Sequence, residues 1–310
     1  MNKPHNPARR LALQALAATG LSAMPIRPFA DVPAPAMAAR PIPASGEMLP
    51  VVGLGTYQSF DVGSGAAERD PVKQVLRLFA QQGGKLVDSS PMYGPSESVV
   101  GDLAAELGIS ARLFMATKVW TSGREAGIRQ MEESLRRMKV ERMDLMQIHN
   151  LLDWKTHLGT LQQWKAAGRI RYIGITHYHS GAYAELERLM KTKDFDFVQF
   201  NYSIAEREAE DRILPLAHEL GIAVIVNRPF AQASLFSRVR GKDVPAWAAE
   251  FDCKSWSQFF LKYILAHPAV TCVIPATGKP QHLLDNMMAG IGRLPDAARC
   301  KRMIAFMDSL

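Results

Sequence analysis

The chain has little of what would place it in several large classes. It holds three cysteines in 310 residues, Cys253, Cys272 and Cys300, and no C-x-x-C pair. An odd number at wide spacing implies no disulfide framework. Cys272 lies in an apolar run and reads as a core residue. No apolar run reaches the about 20 residues that a membrane-spanning helix needs. No run of lysine or arginine is interleaved with aromatics, which argues against nucleic acid as a partner. The net charge is +7, and residues 1–38 hold Lys3, Arg9, Arg10 and Arg27 against Asp31, which leaves about +4 for the rest. That modest excess would still favour an anionic cofactor.

Hydrophobic residues make up 47% of the chain and charged residues 22%, a balance that fits a globular protein with a large core. One (β/α)8 barrel takes about 250 residues, so a single large domain fits the length. The N-terminus differs in character. Arg9-Arg10 precede a short apolar run from Leu11 to Ala23, and a Pro/Ala-rich stretch follows with Ala36-Met37-Ala38. That order is a signal-peptide pattern. The paired arginines point to twin-arginine export and a periplasmic location, although Ala8 stands where Ser or Thr is usual and Ala12 where Phe is. The plain alternative is a tail without a targeting role on a cytoplasmic protein. The expected organisation is a signal segment over 1–38 and one domain over 39–310.

Within that domain, ARPIP and MLPVV flank Ala44-Ser45-Gly46-Glu47, which predicts a hairpin. Short apolar runs then recur. They are Val51 to Gly55, Leu86 to Asp88, Leu113 to Lys118, Leu145 to His149, Tyr172 to Ile175, Phe197 to Phe200, Ala223 to Val226 and Thr271 to Pro275. Continuous apolar runs suit strands covered on both faces. Between them lie helical patterns. Val72, Val75, Leu76 and Phe79 make one stripe, ended by Gly83-Gly84. Ile128, Met131, Leu135 and Met138 make another. Glu132–Arg136 and Glu133–Arg137 are spaced for i,i+4 pairing. Strands alternating with helices predict an α/β fold, either a parallel (β/α)8 TIM barrel or a doubly wound sheet. Residues 228–243 form a long loop after the seventh strand, of the kind that usually serves function.

Four residues fall at or just past strand ends. Asp88 and Tyr93 lie in Asp88-Ser89-Ser90-Pro91-Met92-Tyr93-Gly94, Lys118 in FMATKVW and His149 in DLMQIHN. In a barrel these ends share one mouth, where active sites sit. A phenol titrates near 10, too high for easy proton exchange at neutral pH. A nearby ammonium stabilises phenolate and lowers that value. Asp88 would hold Lys118, and His149 would hydrogen-bond a substrate oxygen. The product is a general acid suited to carbonyl reduction. Each residue alone would more often be structural. A lysine closing the apolar run from Leu113 to Ala116 is the sharpest single sign, because a buried lysine needs a reason.

Seven segments together resemble the aldo-keto reductases, in that family's order and spacing. They are GLGTY (53–57), the Asp88 to Gly94 segment, ATKVW (116–120), DLMQIHN (144–150), GRIRYIGIT (168–176), QFNYS (199–203) and IPATGKPQHLLDN (274–286). The resemblance implies a TIM barrel that binds a nicotinamide cofactor without a Rossmann domain, in keeping with the absence of a G-x-G-x-x-G after any strand. It implies NADPH as cofactor, with NADH not excluded, a small carbonyl substrate and a monomer. It assigns Tyr93 as proton donor, supported by Lys118, Asp88 and His149. Tyr57 and Trp120 match substrate-lining positions. The implied cofactor set begins with Gly55, Thr56, Thr176, His177 and Gln199, of which Thr176 and Gln199 match positions holding the carboxamide. It continues with Asn227 and Arg228, then Thr277, Lys279, His282 and Asn286 at the adenosine end, where backbone amides near Pro280 would help bind phosphate.

The sequence also departs from the family. Thr176-His177 replaces the usual Ser-Asn, Asn227-Arg228 replaces a stacking aromatic, His282 stands for an Arg and Ala276 for a Lys. The altered nicotinamide surroundings motivate a second reading, a cofactor-sensing regulator with little turnover. His177-Tyr178-His179 motivates a third, a metal-dependent barrel hydrolase, which lacks companion ligands at the expected strand ends; no metal is expected. Ser96 in GPSES lacks the second glycine of a nucleophile elbow and reads as a helix N-cap.

Overall fold

The computed structural model describes residues 36–310. The signal expected over 1–38 therefore lies, through residue 35, outside the described residues. The hairpin is present: β1 (Ala39–Pro41) pairs antiparallel with β2 (Met48–Pro50).

Eight further strands form one sheet in sequence order, each parallel to the next. They are β3 (Leu54–Gly55), β4 (Leu86–Asp88), β5 (Phe114–Val119), β6 (Met143–His149), β7 (Ile170–Thr176), β8 (Phe197–Asn201), β9 (Ala223–Asn227) and β10 (Val270–Val273). The first and last edges meet through bridges between Val52 and Val273 and between Gly55 and Ala276. Gly53 N–H donates to the Val273 carbonyl at 2.8 Å, and Val273 N–H to the Val51 carbonyl at 2.9 Å. These contacts close the barrel and remove its edges. The expected strand from Val51 to Gly55 is thus regular only at its end.

Helices lie between the strands: α1 (Ala66–Gln81), α2 (Ser96–Glu106), α3 (Arg124–Met138), α4 (Trp154–Ala166), α5 (Tyr183–Met190) and α6 (Ile213–Leu220). Then come α7 (Ser234–Arg238), α8 (Trp256–Ala266), α9 (Pro280–Met288) and α10 (Ala297–Asp308). Their apolar stripes face the sheet. On α1, Val72, Val75, Leu76 and Phe79 are buried; on α3, Met131, Leu135 and Met138 are. Each such side chain contributes about 1.5–3 kcal/mol by leaving water.

The barrel interior is a second, smaller core. Every second residue of a strand points inward. Leu86, Phe114, Ala116, Leu145, Tyr172, Phe197, Ala223, Ile225 and Cys272 fill the lower layers, and Ile42 and Leu49 of the hairpin plug the bottom. Two steps further along the same faces the residues turn polar: Asp88, Lys118, Gln147 and Gln199 are all at most 2% exposed. Gly174 makes this possible, since a Cβ there would lie 2.9 Å from Gln147 Cγ.

Three local expectations are corrected. Glu133 pairs with both Arg136 and Arg137, whereas Glu132 reaches Arg169 at 3.3 Å rather than Arg136. The segment 228–243 contains the short helix α7. Ser96 is the first residue of α2 and caps nothing; Pro95 holds the N-cap position, and the Ser96 hydroxyl is buried without a partner.

Candidate active site

Four inward-facing polar side chains meet at the C-terminal mouth. Lys118 Nζ donates to Asp88 Oδ2 at 2.6 Å and to the Ser89 carbonyl at 2.6 Å. Gln147 Nε2 donates to Asp88 Oδ1 at 2.9 Å, and Gln199 Nε2 to the same oxygen at 3.0 Å. The Asp88 carboxylate thus accepts three side-chain donors, with the hydrogen bonding that a buried charge requires. Lys118 is 0% exposed. Burial pulls its pKa down, but Asp88 first and then Tyr93 more than offset this and hold the amine above its ordinary value. The ammonium is therefore charged.

Tyr93 sits over this cation, its ring centre 5.0 Å from Lys118 Nζ. Burial of the hydroxyl pushes the phenol above its ordinary pKa, and Lys118 pulls it back without cancelling the rise. The net acidification expected from the sequence is corrected here, because desolvation outweighs the ammonium. What the side chains deliver is a protonated phenol beside a cation. That is the state a proton donor needs, with the charge that stabilises the phenolate already in place.

His149 is 6% exposed, with Ser90 Oγ 3.1 Å from its Nδ1. Burial first, then Lys118 and His177, lower its pKa to about 3. The imidazole is neutral. In the tautomer whose Nδ1 accepts from the Ser90 hydroxyl, the Nε2–H is left to donate into the mouth. The Tyr93 and His149 rings are 6.0 Å apart, edge to face. Exposed aromatics rim them: Tyr57, 50% exposed, lies 4.9 Å from the Tyr93 ring, and Trp120, 40% exposed, lies 6.1 Å from His149.

The residues implied for a cofactor divide into two groups. The first surrounds the Tyr93–Lys118–Asp88–His149 cluster. Thr56 Oγ1 donates to the Asp88 carbonyl at 3.0 Å, beside Gly55 on β3. Thr176 Oγ1 donates to Gln199 Oε1 at 3.1 Å. Asn227 Nδ2 donates to the His177 carbonyl at 2.9 Å, and Arg228 Nη1 to the Tyr178 carbonyl at 2.8 Å. The second group lies where β10 leads into α9. Lys279 is the N-cap residue of α9, Thr277 is buried, and Lys279 and His282 are exposed. Asn286 instead faces the protein interior, its side-chain oxygen accepting from the Ser257 hydroxyl. The His177 and His179 rings are 4.4 Å apart, but Nδ1 of His177 already accepts from the Tyr178 N–H.

Sequence reasoning missed Gln147, Ser89, Ser90 and Glu97. Gln147 had a readable signal: it lies two residues before His149 in an apolar strand, so it shares its inward face. Glu97 had none. It is 0% exposed on the outer side of β5, where it accepts from Thr117 Oγ1 at 2.5 Å, and burial raises its pKa.

A closed eight-stranded parallel barrel carries a Tyr–Lys–Asp–His cluster at its C-terminal mouth, the arrangement of a barrel oxidoreductase. The chain belongs to the aldo/keto reductase family, whose profile matches residues 51–299. It is 28% identical over 250 residues to the methylglyoxal reductase YeaE of Escherichia coli, spanning 78% of this chain and 86% of that protein. It is 27% identical over 255 residues to the glyoxal reductase of Bacillus subtilis, spanning 78% and 83%. Among solved structures it resembles an aldo/keto reductase from Klebsiella pneumoniae in complex with NADP and acetate. There the TM-score is 0.71 and the identity 25%, over 84% of this chain and 93% of that one.

Proposed function

We propose that the protein is an NADPH-dependent reductase of small carbonyl compounds, with Tyr93 as general acid. The observation that carries this reading is the fully buried Lys118, charged by Asp88 and placed against the Tyr93 ring. The substrate class follows the relatives named for methylglyoxal and glyoxal reduction.

The mouth fits a nicotinamide. Asn150 Oδ1, Asn227 Oδ1 and Arg228 Nε are buried there with no hydrogen-bond partner among the described residues. Such orphans are costly and call for a ligand that completes them. A carboxamide carries both the donors and the acceptor that atoms of these kinds lack. Thr176, Gln199, Asn227 and Arg228 would hold the ring end, and Thr277, Lys279 and His282 the adenosine end. NADPH held by these residues would be the source of hydride for the carbonyl carbon. Tyr93 gives its hydroxyl proton to the carbonyl oxygen as negative charge develops there. Lys118 stabilises the phenolate left behind, and Asp88 keeps Lys118 charged and fixed. His149 donates from Nε2 to the same oxygen and orients the substrate. Tyr57 and Trp120 flank it with apolar surface. Proton donation of this kind contributes about 10²–10⁴ in rate.

The test follows NADPH consumption by the purified protein with methylglyoxal, glyoxal and benzaldehyde. Alcohol formed in step with NADPH consumed supports the reading. Tight NADPH binding without turnover of any carbonyl would favour the sensing role instead, which the altered Asn227-Arg228 environment motivates. No NADPH binding at all would contradict both.

We further propose that residues 1–38 direct twin-arginine export, on the strength of Arg9-Arg10 and the apolar run after them. A reporter fused behind residues 1–40 should reach the periplasm through that route. Retention in the cytoplasm would overturn it.

A further inference from the structure

Trp120 lies on an exposed connection between β5 and α3, yet its backbone is gripped by side chains. Its N–H donates to Gln130 Oε1 at 2.6 Å, and its carbonyl accepts from Gln130 Nε2 at 3.2 Å. One half-buried amide on α3 therefore takes both polar groups of Trp120, as a neighbouring strand would. The next carbonyl, of Thr121, accepts from His157 Nε2 on α4 at 2.7 Å. Gly123 N–H donates to Asp153 Oδ2 at 2.7 Å. Asp153 also accepts from Thr156 Oγ1 at 2.7 Å, and it lies on the loop that follows His149. The His157 ring is fully buried and passes α3 only because residue 127 is glycine; a Cβ there would sit 2.5 Å from its Cε1.

Such bracing of a connecting loop has a physical meaning. The indole is 40% exposed, so packing alone does not fix its orientation. The backbone of residue 120 sets where the indole's Cβ starts and which rotamers it can take, and Gln130 satisfies both of that residue's polar groups. Hydrogen bonds with geometry this specific hold a side chain where a ligand needs it.

The geometry points to Gln130 as a positioning residue that aims the Trp120 indole across the carbonyl pocket, and so raises the relative turnover of flat, aromatic carbonyls among the small carbonyls that the pocket takes. The selectivity statement rests on the carbonyl-reductase reading; the positioning statement does not. His157 and Asp153 brace the same loop from α4.

The test compares wild type with Gln130→Ala and Gln130→Glu. The glutamate keeps the acceptor for the Trp120 N–H and loses the donor to its carbonyl. Two readouts are taken. One is kcat and KM for benzaldehyde and for methylglyoxal. In Gln130→Ala, the benzaldehyde to methylglyoxal ratio of kcat/KM should fall about tenfold, the size expected for losing two hydrogen bonds. The change should appear in KM for benzaldehyde, with NADPH affinity unaltered and Gln130→Glu intermediate. In a Trp120→Ala background, Gln130→Ala should add nothing further, because its effect passes through the indole. The other readout is fluorine NMR of protein labelled with fluorotryptophan, the Trp120 signal being assigned with Trp120→Phe. That signal should shift or broaden in Gln130→Ala and do so less in Gln130→Glu. A Trp120 signal unchanged in both variants, or a selectivity loss that persists in the Trp120→Ala background, overturns the proposal. Should wild type reduce no carbonyl, the reductase reading fails, and the NMR readout still decides the positioning.

Discussion

The two ends of the barrel are built to opposite rules. At the hairpin end the cations hold structure together. The Arg40 guanidinium donates to the carbonyls of Leu265, His267 and Val270, closing the end of α8. Arg171 lies between Asp144 and Glu47, and the Tyr172 hydroxyl donates to Glu47 at 2.9 Å. Left-handed backbone there falls mostly on glycines such as Gly168 and Gly221, where it costs little. At the mouth the groups are left open. Asn150, Asn227 and Arg228 hold buried polar atoms with no partner among the described residues. Positive φ falls there on Gly94 and Gly123, but also on the side-chain-bearing Gln58, Asn150, Leu151, Asp153, Arg228, Ala231, Gln232 and Ala233. Each such position costs about 1–3 kcal/mol and persists only where the surroundings enforce it. One end supplies stability; the other gives some of it up for a prepared site.

The sharpest way to break this contrast is Lys118→Met. It strands a buried Asp88 carboxylate, so stability should fall by about 3–5 kcal/mol in urea unfolding. Carbonyl turnover should be lost as well. Adding Asp88→Asn should recover most of the stability and none of the turnover. Retained activity in either variant would show that the mouth's charge is structural after all.

A pH titration separates the ends next. His149 titrates at about 3 in the folded chain against an ordinary 6.5. Between those values the unfolded chain binds a proton that the folded chain refuses. Stability should therefore fall as pH drops below 6.5, by up to about 1.4 kcal/mol per unit. His149→Asn should reduce that slope. It should not abolish it, because His177, lowered to about 4, and His267, also lowered by burial, contribute with the same sign. An unchanged slope in melting experiments would count against a buried neutral imidazole.

At the other end, Arg40→Met should cost about 2–3 kcal/mol, the scale of losing charged hydrogen bonds, with turnover unaffected. A loss of activity there would blur the division. The smallest effect is expected from Ala233→Gly. Relieving a φ of 68° at a residue with a side chain should stabilise the fold by about 0.5–1 kcal/mol. Destabilisation in the same unfolding assay would mean that the conformation carries no strain.

The same contrast explains what could be read from the residues alone. The hairpin, the strand runs and the cluster of Asp88, Tyr93, Lys118 and His149 were legible, because periodicity fixes which face a residue takes. Gln147 escaped notice as a long polar chain in an apolar strand, although its parity with His149 placed it inward. Glu97 was not legible, since its burial depends on how α2 and α3 pack against β5. The Glu132–Arg136 spacing failed because Arg169, from the next turn of the barrel, competes for the acid. The direction of the Tyr93 shift was misread for a related reason: a neighbouring cation is visible in sequence, whereas the depth of a hydroxyl is not.

The most direct test of Tyr93 as donor is the single-turnover rate of hydride transfer from bound NADPH to methylglyoxal in Tyr93→Phe. The substitution removes one hydroxyl and leaves Lys118, Asp88 and the residues proposed to hold the cofactor intact. A rate lower by about 10²–10⁴ with NADPH affinity preserved is expected for loss of the general acid. A rate equal to that of wild type would contradict it.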